Sequence, residues 1–377
     1  MRRIDSELMA KSVGVAVFVA AVALAPLALD SFQASQFAYV GIYFIAITGL
    51  NILTGYTGQI SLGHGAFMAI GGYTTAILAT EQGRELFGWS FTAGIPYYAT
   101  IPVAGVVAGV VGFLLGIPAL RLTGLYLALV TFGIAVATPA FVKKFAHLTG
   151  GGTGLSFDLV KSPSWLDLST NDWLYYLCWT IALVLLAVAW LLLRGRTGRA
   201  FRAVRDSEIA ATSFGVHLPT YKTLAFAVSA FYAGVAGALF AVANLSYVSP
   251  ETFAVKLSIY LVVGTVAAGL GSLWGIVFGA ALIEFLPIKA GEISSIPPDV
   301  IFGAVLIAIM LLLPTGAAGL MRKAVTALTS WLYTRSHSEG GRENSASLSL
   351  LSPRRPPVLP LPSPVLLPPP ASATRRS

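Results

Sequence analysis

Ile95-Pro-Tyr-Tyr-Ala-Thr-Ile-Pro-Val-Ala-Gly-Val-Val-Ala-Gly-Val-Val-Gly-Phe-Leu-Leu-Gly-Ile117 runs for 23 residues without a single Asp, Glu, Lys or Arg. A helix needs about 20 mostly apolar residues to cross roughly 30 Å of hydrocarbon, and this stretch supplies them. Working outward, similar runs lie near 13–29, 37–53, 61–80, 123–142, 173–193, 223–243, 257–271, 275–290 and 298–314. The chain therefore reads as all-α, a polytopic integral membrane protein with about 8–10 transmembrane helices. Two places are interrupted: the Gly-rich stretch 54–72, and the long run 257–290, which divides at Gly269-Leu270-Gly271-Ser272.

Composition agrees. The 377 residues are 56% hydrophobic and 11% charged, with a mean hydropathy of +0.79. A soluble domain carries about 25% charged residues, so this chain has too few to wet a hydrated exterior. Its 38 glycines suit membrane helices, where small residues let backbones approach and packing holds the bundle together. The single cysteine, Cys178, excludes an intrachain disulfide and a Cys-based metal site and reads as a small packing residue. The first apolar run has a basic start but no clear small-residue cleavage site, so it reads as a retained helix.

Lys and Arg in short loops set orientation. Ten crossings gather Arg2, Arg3, Lys11, Arg121, Arg194, Arg196, Arg199, Arg202, Arg205, Lys222, Arg322 and Lys323 on one side. The opposite loops dilute fewer cations with acidic residues. Both termini are expected on the cytoplasmic side. Three regions follow: 1–36, a cytoplasmic segment and first helix; 37–316, the transmembrane domain with a cytoplasmic loop at 194–222; and 317–377, a tail. From about residue 335 the tail is rich in Ser and Pro, which cannot bury enough apolar surface to offset chain entropy, so disorder is expected there.

The loop from Arg194 to Lys222 has helical periodicity between Arg199 and Phe214, with a stop at Gly215 and Pro219. Phe201, Val204, Ile209 and Phe214 are its larger apolar residues; Arg199, Arg202, Arg205, Asp206 and Glu208 are polar, and Ala211 is small. Such a helix is too short and too charged to span. It suits either docking into a groove on a soluble partner or contact with anionic lipid.

The stretch 49–72 also has two readings. Gly55, Gly58, Gly63 and Gly65 punctuate it, with Asn51, Gln59, Ser61 and His64 between. Broken backbone inside a membrane is tolerated where it is buried in protein or lines a wet cavity. These residues either line a path for a polar solute or pack helices tightly through small residues. His64 reads as a hydrogen-bonded packing residue, since no acidic partner is near it in sequence. Glu284, at the centre of the bilayer, would cost about 2.5–3.5 kcal/mol. With Lys289 nearby it is expected near the outer interface, snorkelling or paired. Thr149-Gly-Gly-Gly-Thr-Gly154 is an outer loop that either contacts a soluble partner or simply turns the chain.

Three blocks carry a resemblance. Arg202-Ala-Val-Arg-Asp-Ser-Glu-Ile-Ala-Ala211, with Gly215-Val216, Lys222 and the helix after it, resembles the coupling loop of branched-chain amino-acid ABC importer permeases. Asn51-Ile-Leu-Thr-Gly-Tyr-Thr-Gly-Gln-Ile-Ser-Leu-Gly-His-Gly-Ala-Phe67 is similar to that family's signature. Leu120-Arg-Leu-Thr-Gly-Leu-Tyr-Leu-Ala-Leu-Val-Thr-Phe-Gly133, with Thr149–Leu155, resembles its M-type subunit. The likeness covers about 37–316; the Pro-rich tail departs from it. It implies a subunit of the bacterial inner membrane, paired with an H-type permease, served by two cytoplasmic ATPase subunits and a periplasmic substrate-binding protein, with no nucleic acid involved. It implies that residues 199–216 transmit the motive force. No Gly-x-x-x-x-Gly-Lys-Ser/Thr loop is present, so ATP and Mg would be used by the partners and no cofactor is expected on this chain. Catalytic residues and metal ligands are expected to be absent, the four histidines forming no spaced motif. Branched-chain or related amino acids are the implied solutes, with urea or short amides as the alternative.

An ion-coupled secondary carrier is the competing class, and it would want a deep carboxylate. Glu284→Gln separates the two in uptake assays across a pH series: little effect is expected, and total loss of pH-dependent uptake would point to the ion-coupled carrier.

Overall fold

In the computed structural model the described residues are 14, 18–27, 29–80, 84–86, 89–91, 94–122, 124–158, 160, 162, 168–293, 297–312 and 316–319. All belong to the first of two compact units, Met1–Lys323. The expected tail from 320 onward and the start of the first span lie outside the described residues; within that span 18–24 are helical.

The principal helices are α1 Ser31–Asn51, α2 His64–Ala79, α3 Tyr97–Ala119, α4 Leu125–Lys144, α5 Thr170–Arg194, α6 Arg196–Asp206, α7 Glu208–Ser213, α8 Leu218–Ala243, α9 Val255–Ala268, α10 Ile276–Ile293 and α11 Pro298–Leu312. A π turn, Ile52–Tyr56, extends α1. Among the described residues six stretches are long and apolar enough to cross a membrane: Ser31–Tyr56, Tyr97–Ala119, Leu125–Lys144, Thr170–Arg194, Leu218–Ala243 and Pro250–Ala268. The chain is a multi-pass, all-α membrane protein. Helix α2, at 16 residues, rises only ~24 Å, and α10 and α11 complete the set of apolar helices. Two antiparallel strand pairs add a minor β component, Arg84–Leu86 with Trp89–Phe91 and Leu155–Ser156 with Tyr247–Val248.

Local signals explain the boundaries. The Asp30 backbone N–H donates to Gln33 Oε1 at 3.3 Å, reinforcing the start of α1. The Ser169 hydroxyl accepts from the Asp172 amide at 3.2 Å and caps α5. The run 257–290 breaks where Gly269 and Gly271 take positive φ of 99° and 74°, a region closed to most side chains.

Helix α8 lies at the centre and packs on α1, α2 and α3. It does so through backbone contact. A Cβ at Gly71 would strike the Gly234 carbonyl, and one at Gly237 would strike the Met68 carbonyl. On its other side Gly234 faces α3, where a Cβ would meet the Ala104 carbonyl at 2.8 Å. Between lipid and protein there is no hydrophobic gain from association, so dispersion at short range carries the packing. Around this centre, Tyr232 Oη donates to Leu185 O of α5 at 2.7 Å, Trp179 Nε1 to Phe37 O of α1 at 2.9 Å, and Tyr175 Oη to Val22 O at 2.8 Å. Helices α3 and α4 turn apolar residues outward: Val106, Val110 and Leu114 on α3 and Leu125, Leu129, Val136 and Phe141 on α4 are exposed, a face that suits lipid or another membrane subunit.

One end of the bundle gathers residues 54–60, 194–222 and 269–272, as the contacts below show. At the other end Lys143 pairs with Glu251 at 2.9 Å, and Tyr247 Oη donates to Thr153 O at 2.8 Å. The loop 149–154 is therefore tethered to the segment before α9. Lys289 bridges Glu292 at 2.8 Å, not Glu284, so the expected pairing is corrected: a contact three residues along the helix wins over one five residues away.

Gly234→Val forces two backbones apart and is expected to cost about 1–3 kcal/mol, read as a lowered thermal midpoint of the detergent-solubilised protein. Gly133→Ala, whose Cβ meets nothing within 4 Å, is expected to leave the midpoint unchanged or raise it.

Candidate functional site: the elbow and its joint

The loop after α5 folds as an elbow of two helices. Gly198 lets α6 turn tightly against the end of α5, since a Cβ there would collide with the Leu193 carbonyl. The single helix expected over 199–214 is corrected to two, α6 and α7, broken at Ser207. Ser207 adopts φ −165° and ψ 117°, and its hydroxyl accepts from the Ala210 amide at 3.2 Å. Serine competes for backbone donors in this way and so favours caps over helix interiors. The sequence signal was there: Ser followed by Glu is a helix start.

The break falls among the larger apolar residues of the segment and gives them different surroundings. Phe201 and Val204 are buried, Phe201 edge-on to Tyr221 at 6.3 Å between ring centres. Ile209 and Phe214 are 83% and 88% exposed. Ala211 is buried, and Gly215, at φ +81°, ends α7 in open space. Arg199 and Arg202 sit on α6, Arg202 close enough to Tyr56 for its charge to be felt there. Glu208 accepts from Lys222 Nζ at 2.6 Å; the lysine side chain is 6% exposed and the glutamate 43%. Neither this pair nor the cap by Ser207 was foreseen.

The elbow meets the Gly-rich stretch directly. Arg205 Nε and Nη2 lie 3.1 and 3.0 Å from Asp206 Oδ1, while Nη1 donates to the Gly55 carbonyl at 3.0 Å. Asn51 bridges to a third segment: its Nδ2 donates to Ser272 O at 2.7 Å and its Oδ1 accepts from Gly271 N at 2.9 Å. Gly55 packs between them, for a Cβ there would strike Asn51 Oδ1 and Gly271 N. Gly58, at φ +73°, lies beneath the Arg205 side chain. Sequence reading treated the elbow and this stretch separately; the structure makes one joint of them.

Residues 59–65 continue inward. Gln59 Nε2 donates to Thr57 Oγ1 at 2.9 Å, and Ser61 Oγ accepts from the Gly63 amide at 3.3 Å. Gly63 abuts Thr131 of α4, and the Gly65 amide donates to Ser258 Oγ at 2.9 Å. His64 is fully buried, with Nε2 2.7 Å from Ser229 Oγ. Ser229 spends its one proton on Gly49 O at 2.6 Å, which makes His64 Nε2 the donor and leaves Nδ1 without a partner among the described residues. Beside this packed segment a cavity of about 500 Å³ opens between α2, α3 and α4, lined by Ala66, Ile70, Tyr73, Val111, Val130, Ile134 and Phe141 among others. Its walls are almost wholly carbon.

With this geometry in view, residues 34–314 match the family of branched-chain amino acid transport system / permease components. The chain belongs to that family. Within it, the chain is 35% identical over 265 residues to the high-affinity branched-chain amino acid transport system permease protein LivM of Escherichia coli, covering 64% of this chain and 60% of that protein. It is 24% identical over 288 residues to LivH of the same organism, covering 74% and 91%. It is also 29% identical over 160 residues to the autoinducer 2 import system permease protein LsrC of Photorhabdus laumondii, covering 40% and 46%. The chain spans about 60% of the length of the LivM proteins it matches. No solved structure matches it significantly. The family match takes in the elbow, the joint and the cavity alike.

In this permease-family chain the Lys222–Glu208 pair holds α7 against α8. Glu208→Gln leaves a buried cation short of its partner and is expected to cost about 1–2 kcal/mol, discounted for the exposure of the carboxylate. Chemical denaturation in detergent should show this loss, and the double variant Glu208→Gln/Lys222→Met should recover most of it.

Proposed function

We propose that this chain is a membrane-spanning permease subunit of an ATP-binding-cassette importer, passing branched-chain or related amino acids into the cytoplasm and energised by partner ATPase subunits. The observation that carries this reading is the elbow. A soluble motor can move a membrane bundle only through a rigid element that protrudes from it, and α6–α7 is such an element. Its inner face is fastened by Phe201, Val204 and Lys222, and its outer face offers Ile209 and Phe214 to a partner. Exposed large apolar residues on an otherwise charged surface mark a docking site.

On this reading two cytoplasmic ATPases bind ATP and Mg, one of them gripping the elbow. An H-type permease subunit covers part of the apolar exterior, and a periplasmic binding protein delivers solute to the end that carries Lys143 and Glu251. The chain lies in the bacterial inner membrane with both termini in the cytoplasm, which places the arginines of 194–205 on the inner side as the positive-inside rule requires. The chain itself is not an enzyme. The relatives favour a branched-chain amino acid over urea or a short amide. Both LivM and LivH of Escherichia coli, to which the chain is similar, are branched-chain amino acid permeases.

Uptake should be measured in proteoliposomes holding the chain with its ATPases, second permease and binding protein. Ile209→Asp/Phe214→Asp is expected to cut ATP-driven uptake at least tenfold and weaken ATPase retention, with membrane insertion unchanged; Glu208→Arg should abolish uptake. Uphill uptake by this chain alone would contradict the proposal.

A further inference from the structure

The elbow touches the transmembrane helices in two chemically different ways. Phe201 and Val204 bury apolar surface, which is non-directional and tolerates sliding. Arg205 makes a directed bond to one carbonyl, Gly55 O, at 3.0 Å. That carbonyl belongs to the last turn before the break in α1, where the backbone has already left α-helical register for a π turn, Ile52–Tyr56. A π turn holds one residue more than the α spiral, so a one-residue shift converts one to the other; it is a discrete alternative, and such turns mark functional sites. The turn at 269–272 is bound to the same place by both ends of the Asn51 amide.

Three glycines make room at this point. Gly55 lets the Gly271 amide approach, Gly58 lies under the Arg205 stem, and a Cβ on Gly271 would sit 3.1 Å from Arg205 Nη1. Asp206 meanwhile holds Nε and Nη2, which fixes the plane of the guanidinium and aims Nη1 at Gly55.

We infer that Arg205 is a positioning residue for transport: it carries movement of the elbow into the π turn of α1 and, through Asn51, into the turn that ends α9. This inference rests on the proposed importer function for its purpose, but the mechanical link it describes can be tested without transport.

The first measurement is amide hydrogen exchange on the full chain in detergent. Arg205→Ala should raise exchange at least tenfold in residues 52–58 and 269–273 while 225–240 stay protected; unchanged exchange at both turns would overturn the link. The second is the number of ATP molecules hydrolysed per solute imported by the reconstituted complex. Arg205→Ala should raise that ratio at least tenfold, and Arg205→Lys, which keeps the charge at the helix end but loses the fork held by Asp206, should raise it as well. A fall of uptake and hydrolysis together at a fixed ratio, or full rescue by lysine, would mean that Arg205 merely stabilises the fold or the helix end. If the wild-type complex shows no ATP-driven uptake, the importer function fails, and the exchange experiment alone still decides the link.

Discussion

Hydrocarbon offers no hydrogen bonds, so wherever a membrane helix stops, the protein must supply partners for the groups set free. Residues 52–65 show how strictly this is met. The Leu53 carbonyl accepts from the Gln59 amide and the Thr57 hydroxyl, and the Thr54 carbonyl from the Gly58 amide. The Gly55 carbonyl accepts from Arg205. On the far side of the break, the Leu62 amide donates to Thr131 Oγ1 and the Gly65 amide to Ser258 Oγ. The partners come from α4, α6 and α9. A break in one helix has thus become the point at which several others are tied together, and the bundle cannot rearrange there without exchanging bonds.

Much of the architecture could be read directly from apolar run length. The spans expected at 95–117, 173–193 and 223–243 lie inside or close to α3, α5 and α8, and the divide at 269–272 falls where α9 ends. These features depend on local composition, which a linear reading captures. The joint was not legible, because Asn51 and Gly271, or Gly55 and Arg205, are brought together only by the tertiary fold. Gly-rich sequence alone could not say whether 49–65 lines a passage or packs. In the structure Asn51, Ser61 and His64 are buried; both ends of the Asn51 amide and His64 Nε2 are engaged by distant parts of the chain, and Ser61 Oγ by the Gly63 amide. The elbow was legible as a surface helix but not as two, because periodicity over 199–214 gave no weight to the capping chemistry of one serine.

That serine changes what the elbow presents. In an unbroken helix Ile209 and Phe214 would stand about 110° to either side of the Phe201–Val204 stripe, so that their exposure would be tied to how that stripe packs. The extended backbone at Ser207 lets α6 pack its apolar residues inward while α7 turns Ile209 and Phe214 outward. Inward attachment and outward display become separate functions of neighbouring turns.

Separation requires that the second helix be held at a defined angle, and here the Lys222–Glu208 pair matters. Burying an ammonium group costs several kcal/mol before its partner is counted, so such a pair adds little net stability over a hydrophobic one of the same size. What it adds is direction. Lys222 can recover its lost hydration only if Glu208, the first residue of α7, stands within reach, and a swing of α7 by a few ångströms would strand the charge. Two polar contacts of different kinds thus frame the elbow, Lys222 fixing where α7 points and Arg205 fixing what α6 is attached to. A greasy interface alone would hold the elbow on the bundle without setting either.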